Sequence, residues 1–240
     1  MDATALHVRF ISNEGREVES SLDEADPTEI ARSAPVRTPP SYAGQSHYPG
    51  LFWSATTESL VVYESRLELG WLWLADFDPS VVRIAAQPFE LRGGDGGRVR
   101  VRYPDFLWVG SDGRIGVVDV KPASMLADHK VQAALAWTAE ALRSRGWSYE
   151  VWHGAPPTVL RNVRLIAVGR RPGVVKDEVI TGAVAACPPA GTTLEALERR
   201  VRGLSVAAPA RTVIFAALWQ GRLVCRIDSP IDGQTWVMHS

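Results

Sequence analysis

The sequence predicts a mixed α/β core followed by a small tail of helices and a hairpin. Three observations carry that expectation. Apolar residues at helical spacing over 64–77 precede a series of short apolar strands between Val81 and Val120. A second helical stretch, 126–143, leads into one more strand, 147–152, which reads as a βαβ-type crossover onto a mostly antiparallel sheet. Beyond Pro157 the pattern changes to three short helical stretches and two strands.

The first 45 residues differ from the rest. A strand at 6–11 can turn through Asn13-Glu14-Gly15 into 16–20. An acidic stretch up to Asp26-Pro27, then Pro35 and Pro39-Pro40, cannot form a core alone. Residues 1–45 are therefore expected as an arm that packs on something else or stays mobile. Residues 46–157 are expected as the core and 158–240 as the tail domain.

Within the core, 60–63 is a short apolar run. Leu67, Trp71 and Leu74, flanked by Leu72, mark the 64–77 helix, which Asp78-Pro79 ends because a proline disfavours helical backbone in the residue before it. Strands are expected at 81–86, 98–102, 106–109 and 115–120. The glycine-rich stretch 93–97 and the Ser111-Asp112-Gly113 turn separate them. The Arg-Val alternation of 98–102 predicts a half-buried strand. The 126–143 helix presents Ala134, Trp137 and Ala141 on one face and stops at Gly146. In the tail, helices are expected at 174–186, at 193–201 with Thr192 as cap and Glu195 completing a capping box, and at 211–219. Strands at 223–227 and 235–238 give the order of a winged helix.

The candidate chemistry lies in Pro104-Asp105, thirteen residues, then Asp119-Val120-Lys121. Side chains two apart on a strand share a face, so Asp119 and Lys121 project together, and a hairpin through residues 111–113 brings Asp105 beside them. Two carboxylates on one face repel unless a cation joins them. Magnesium suits the task, with hard oxygen ligands at about 2.0–2.1 Å and retained waters. Such a water is more acidic and can attack phosphorus, while Lys121 neutralises developing charge. A third acid is expected from the upstream helix, where Glu64 and Glu68 stand four apart. Taken alone, an Asp-x-Lys pair is usually a surface ion pair; the buried character of Val117, Val118 and Val120 argues against that reading here.

These residues resemble the PD-(D/E)xK nuclease core. The ordered blocks Glu64-Ser65-Arg66-Leu67-Glu68, Asp76-Phe77-Asp78-Pro79-Ser80-Val81, Gln87-Pro88-Phe89, Tyr103-Pro104-Asp105-Phe106 and Val118-Asp119-Val120-Lys121-Pro122 are similar to TnsA-like endonuclease subunits of heteromeric transposases. The resemblance is strong over about residues 58–122 and weaker to 152. It implies a restriction-endonuclease-like sheet flanked by helices and a C-terminal winged-helix-like domain. It also implies magnesium, or manganese, as cofactor, and cleavage of the strand at a transposon end that a partner DDE-type transposase leaves uncut. Carried over, Glu68, Asp105, Asp119 and Lys121 are catalytic. Glu68, Asp105, Asp119 and the Val120 carbonyl hold the metal, and Glu64 and Gln87 are helpers. A regulator ATPase is a further expected partner.

The net charge of −1 hides an asymmetry. Residues 1–68 carry five basic and eleven acidic groups, whereas 160–226 carry eleven basic and four acidic ones. Arg98, Arg100, Arg102, Arg170, Arg171, Arg199 and Arg200 are the expected DNA contacts. No apolar run reaches the ~20 residues that span a bilayer, no secretory signal is read at the start, and two cysteines without ligand spacing predict neither a disulfide framework nor a zinc site. A cytoplasmic protein without a membrane partner is expected. The competing expectations are a stand-alone restriction or repair nuclease of the same fold, and a non-catalytic DNA- or partner-binding module.

Overall fold

The computed structural model describes residues 5–37 and 48–240. The class is mixed α/β, and the chain divides into two units, residues 1–72 with 80–154, and residues 73–79 with 155–240.

The first unit opens on β1 (His7–Ile11), whose Val8 and Phe10 point inward, and returns through a turn at Gly15 into β2 (Glu17–Ser21). A single helical turn, α1 (Pro27–Ile30), is capped by the Asp26 carboxylate, which accepts the Thr28 amide at 2.8 Å. β3 (Gly50–Ser54) and β4 (Ser59–Tyr63) form a separate hairpin. α2 (Arg66–Phe77) comes next, then β5 (Val81–Ala86), β6 (Glu90–Asp95) and β7 (Arg98–Arg102). The β6–β7 hairpin closes through Gly96 and Gly97, both at positive φ, so the turn is shorter than the expected five residues. β8 (Phe106–Gly110) and β9 (Ile115–Val120) form the next hairpin. α3 (His129–Ser144) starts three residues later than expected because Asp128 caps it, accepting the Lys130 and Val131 amides. Gly146 in the left-handed region releases the chain into β10 (Ser148–Trp152).

Two sheets organise this unit. One runs β10-β9-β8-β5, antiparallel except for the parallel β9–β10 pair that α3 connects, so the expected crossover is present. The other runs β2-β1-β6-β7. Their shared core includes Phe10, Leu22, Ile30, Phe89, Leu107 and Leu142. Residues 5–37 take the first of the two expected courses and pack on the rest of the unit. Val8, Phe10, Leu22 and Ile30 fill the core, and β1 pairs with β6, which supplies the partner this stretch lacks by itself. Pro39-Pro40 lies outside the described residues.

β7 is a half-buried strand, as its alternation predicts, and its arginines take the inner side. Its valines face outward, with Val99 68% and Val101 39% exposed, while Arg100 and Arg102 lie on the partly buried side. Arg102 pairs there with the fully buried Asp119 carboxylate, which needs such a partner, and Arg100 pairs with the partly exposed Asp95. Trp71 stacks on Phe106 with centroids 4.5 Å apart and Trp147 is buried, as expected of core tryptophans; Trp137 is partly buried and donates to the Gly94 carbonyl at 2.9 Å.

The second unit contains α4 (Pro157–Ile166), α5 (Asp177–Ala186), β11 (Thr192–Thr193), α6 (Leu194–Val201), α7 (Ala210–Trp219), β12 (Leu223–Cys225) and β13 (Trp236–His239). The sequence pattern has no counterpart for α4, because Pro156-Pro157 looks like a breaker; Pro157 sits instead at the first helical position, where its missing amide costs nothing. α6 is capped by Thr193 rather than Thr192, through its hydroxyl to the Ala196 amide at 3.3 Å. β11, β13 and β12 make a small sheet in that order. α7 is buried without interruption from Val213 to Trp219. Among the described residues no helix is long and apolar enough to cross a membrane. Cys187 and Cys225 are free thiols.

Phe10 is 1% exposed. Phe10→Ala is expected to destabilise the first unit by about 3–5 kcal/mol in urea denaturation of the full chain. A loss below about 1 kcal/mol would show that β1 is not part of the core.

Candidate functional site

The β8–β9 hairpin brings the predicted residues together at one end of its sheet. Phe106 pairs with Val118, so Asp105, just before β8, lies against the end of β9. Its amide donates to the Val118 carbonyl at 3.1 Å, and its own carbonyl accepts the Gln87 amide at 2.8 Å. Both backbone bonds hold the Asp105 side chain in place. Its Oδ2 accepts the Val120 amide at 2.6 Å and the Lys121 ammonium at 3.0 Å. Burial raises the Asp105 carboxyl above the usual aspartate range, opposed by Lys121 and reinforced by the Asp119 charge.

Lys121 Nζ also donates to the Val120 carbonyl at 3.0 Å and stands 4.0 Å from Asp119 Oδ1. Asp119 is fully buried. Its Oδ2 accepts Arg102 Nη2 at 2.8 Å and the Tyr149 hydroxyl at 2.5 Å. Its Oδ1 has no hydrogen-bond partner among the described residues. Tyr149 has no counterpart among the residues expected at the site. The signal that could have found it is register: Val151 pairs with Asp119 in the parallel ladder, so Tyr149, two residues earlier, shares the aspartate's face.

Glu68 and Glu64 separate. Glu68 lies in the first turn of α2, 8% exposed. Its Oε1 accepts the Ser65 hydroxyl and its Oε2 the Glu64 amide, each at 2.8 Å, while its amide donates to Ser65 Oγ at 3.1 Å. That reciprocal pattern is a helix cap of the capping-box kind. Burial pushes the Glu68 carboxyl up to about 7; the Glu64 amide opposes the rise and the Asp105 charge adds to it. Glu64 precedes the helix, so the expectation that the two glutamates share a helical face is corrected. The Glu64 carboxylate pairs with Arg37 at 2.7 Å and accepts from the Gln87 amide group. Gln87 is buried with φ +45°, a strained backbone for a residue with a side chain, and its Oε1 has no partner among the described residues. Its bonds run to Glu64 and to the Asp105 backbone, not to Lys121.

Among the described residues no three histidine, cysteine, aspartate or glutamate side chains are grouped closely enough to hold a metal ion. Of the expected ligands, Glu68 has both oxygens engaged by the helix cap. The remaining donors are Asp105, the Val120 carbonyl and Asp119 Oδ1, and the Lys121 ammonium sits among them. All three are hard oxygens of the kind magnesium and manganese take, so their chemistry fits a divalent cation, with the lysine's charge standing in that position.

The expected DNA-binding arginines divide. Arg98, Arg171 and Arg200 are exposed. Arg199 is exposed and pairs with Glu195 at 2.7 Å. Arg100 pairs with Asp95 and Arg102 with Asp119, so neither is a ready phosphate contact. Arg170 lies over the Trp73 ring at 4.2 Å and 5.9 Å from that of Trp219, a packed cation–π position rather than a phosphate contact. His129 is exposed at the start of α3. No protein-family model matches the chain, and no curated protein matches it.

The elevated Glu68 value has a defined sign. A carboxyl whose folded pKa exceeds its unfolded value contributes stability below the unfolded value, near 4.5, and loses it as pH rises through about 7. The rise corresponds to about 3 kcal/mol. Glu68→Gln, which can keep the cap, is expected to remove that loss, so its stability relative to wild type improves between about pH 4 and pH 8. Urea denaturation across this range in EDTA checks it; parallel pH profiles for the two proteins would refute it.

Proposed function

We propose that this chain is a metal-dependent DNA endonuclease subunit, similar to TnsA-like subunits, that cuts one strand at transposon ends together with a partner DDE-type transposase. The observation that carries the reading is the convergence of Asp105, the Val120 carbonyl and Asp119 Oδ1, which has no hydrogen-bond partner among the described residues, around the Lys121 ammonium at one end of a buried strand. The sheet β10-β9-β8-β5, with α2 before it and α3 as its crossover, has the order of a restriction-endonuclease-like core, which supports the same reading.

Asp105, Asp119 and the Val120 carbonyl would hold magnesium or manganese. When bound, the ion would acidify a water and offset charge on the attacked phosphate. Lys121 carries a proton at Nζ and presents positive charge to the phosphate once it leaves the aspartates. Glu68 keeps a proton up to about pH 7, beside Asp105, where it can exchange one with a nearby water.

The tail runs helix, strand, helix, helix, strand, strand from α5 to β13, the order of a winged helix. In the tail α7 is buried from Val213 to Trp219, so the tail does not present that helix to a major groove. It is proposed as a docking platform for the transposase or a regulator ATPase, with Arg171, Arg199 and Arg200 contributing backbone charge.

The test is strand cutting of a plasmid carrying the transposon ends, with magnesium, with and without the partner transposase. Asp105→Ala and Lys121→Ala are each expected to lower cutting by about 10²–10³-fold. Cutting unaffected by Asp105→Ala would overturn the site. Vigorous cutting without the partner would favour a stand-alone nuclease, and none with any partner a binding module.

A further inference from the structure

We infer that Arg102 and Tyr149 are positioning residues that clamp one oxygen of Asp119 so that only the other, Oδ1, is presented to a divalent cation. The inference rests on the metal-centre reading above and deepens it.

The geometry is specific. Asp119 Oδ2 receives two donors from two different strands, the Arg102 guanidinium of β7 at 2.8 Å and the Tyr149 hydroxyl of β10 at 2.5 Å. Neither donor reaches Oδ1, which is buried and without a hydrogen-bond partner among the described residues. Turning the carboxylate plane away from this angle would break both charge-assisted bonds. A half-turn merely exchanges two equivalent oxygens, so the clamp fixes the plane and always leaves one oxygen on the far side from the two donors. Oδ1 is then the oxygen on the Lys121 side, 4.0 Å from Nζ.

The arrangement is costly if its only purpose is packing. Burying a carboxylate is tolerated only when it is paired and its remaining lone pairs are satisfied. Here one oxygen is fully served and the other has no hydrogen-bond partner among the described residues, with the Lys121 ammonium 4.0 Å away. Arg102 makes the same choice: its Nη2 reaches Asp119 while its Nε, also buried, has no partner among the described residues. A second-layer donor that fixes a carboxylate ligand is the role outer partners play at metal centres, where removing one typically weakens metal binding about 10–100-fold. The Arg-Val alternation of β7 thereby acquires a reason. Arg102 is spent on Asp119 and not on DNA.

The test uses the full chain without DNA and Mn²⁺ as the probe, with binding read as loss of the free-ion signal in electron paramagnetic resonance. Wild type is expected to bind Mn²⁺ and Asp105→Ala to abolish the binding. Tyr149→Phe removes a single hydroxyl and is expected to raise the Mn²⁺ dissociation constant about 10–100-fold, with its melting temperature in EDTA close to wild type. Arg102→Gln provides the second reading, with a rise of the same order, should Tyr149→Phe fold poorly. Wild-type affinity in both variants, with Asp105→Ala still inactive in binding, overturns the clamp and leaves the metal centre standing. Absence of Mn²⁺ binding by wild type overturns the metal centre, and the clamp with it.

Discussion

A carboxylate with no exposure must find its compensation inside the protein, and that of Asp119 is drawn from both sheets of the first unit. Arg102 comes from the β2-β1-β6-β7 sheet and Tyr149 from the β10-β9-β8-β5 sheet, and both end on the same oxygen. The inward turn of the β7 arginines, the outward valines and the parallel placement of β10 are all consistent with this one demand. Removing the Arg102 charge would leave a buried carboxylate short of its ion-pair partner, which is the expensive way to break such a pair. Asp105 has an analogous position one strand over, answered by the Val120 amide and the Lys121 ammonium.

The part of the site that was legible in the sequence is the part governed by local geometry. Two-residue periodicity placed Asp119 and Lys121 on one face, and the Ser111-Asp112-Gly113 turn brought Asp105 back to them. The class of the fold and the crossover came from the same kind of pattern. The illegible part depends on contacts between distant segments. The alternation of β7 does not say which side faces inward until the carboxylates facing Arg100 and Arg102 are known. Residues 5–37 look too polar and proline-rich to pack until β6 is available as a partner. Pro157 reads as a breaker or as a helix start according to whether residues 158–166 continue the helix. Glu64 and Glu68 could not be told apart by spacing, because the choice is made by Ser65, which ends the strand-like backbone and caps the helix between them.

The charge asymmetry of the chain also looks different once the partners of the basic groups are known. Several arginines of the basic tail are engaged: Arg170 against Trp73, Arg211 with Glu198, Arg222 with Asp177 at 3.0 Å, Arg226 with Asp228 at 2.7 Å. A sum of charges over a segment therefore overstates what is left for a polyanion. Surface pairs of this kind are individually weak, about 0–1 kcal/mol each, so they fix the arginines only loosely.

Gln87 carries a consequence of another sort. Its left-handed backbone is a conformation that glycine adopts freely and that other side chains adopt at a cost on the order of 1 kcal/mol. Glycine at this position would relieve the backbone and also remove the buried Oε1 that has no hydrogen-bond partner among the described residues. A glutamine kept where glycine would be the more comfortable residue marks a position at which stability and the side chain pull in opposite directions, a trade-off common beside working sites. A stabilising redesign of this protein that ranked positions by backbone strain alone would begin here, and would begin by deleting the amide that tethers Glu64 next to the Asp105 loop.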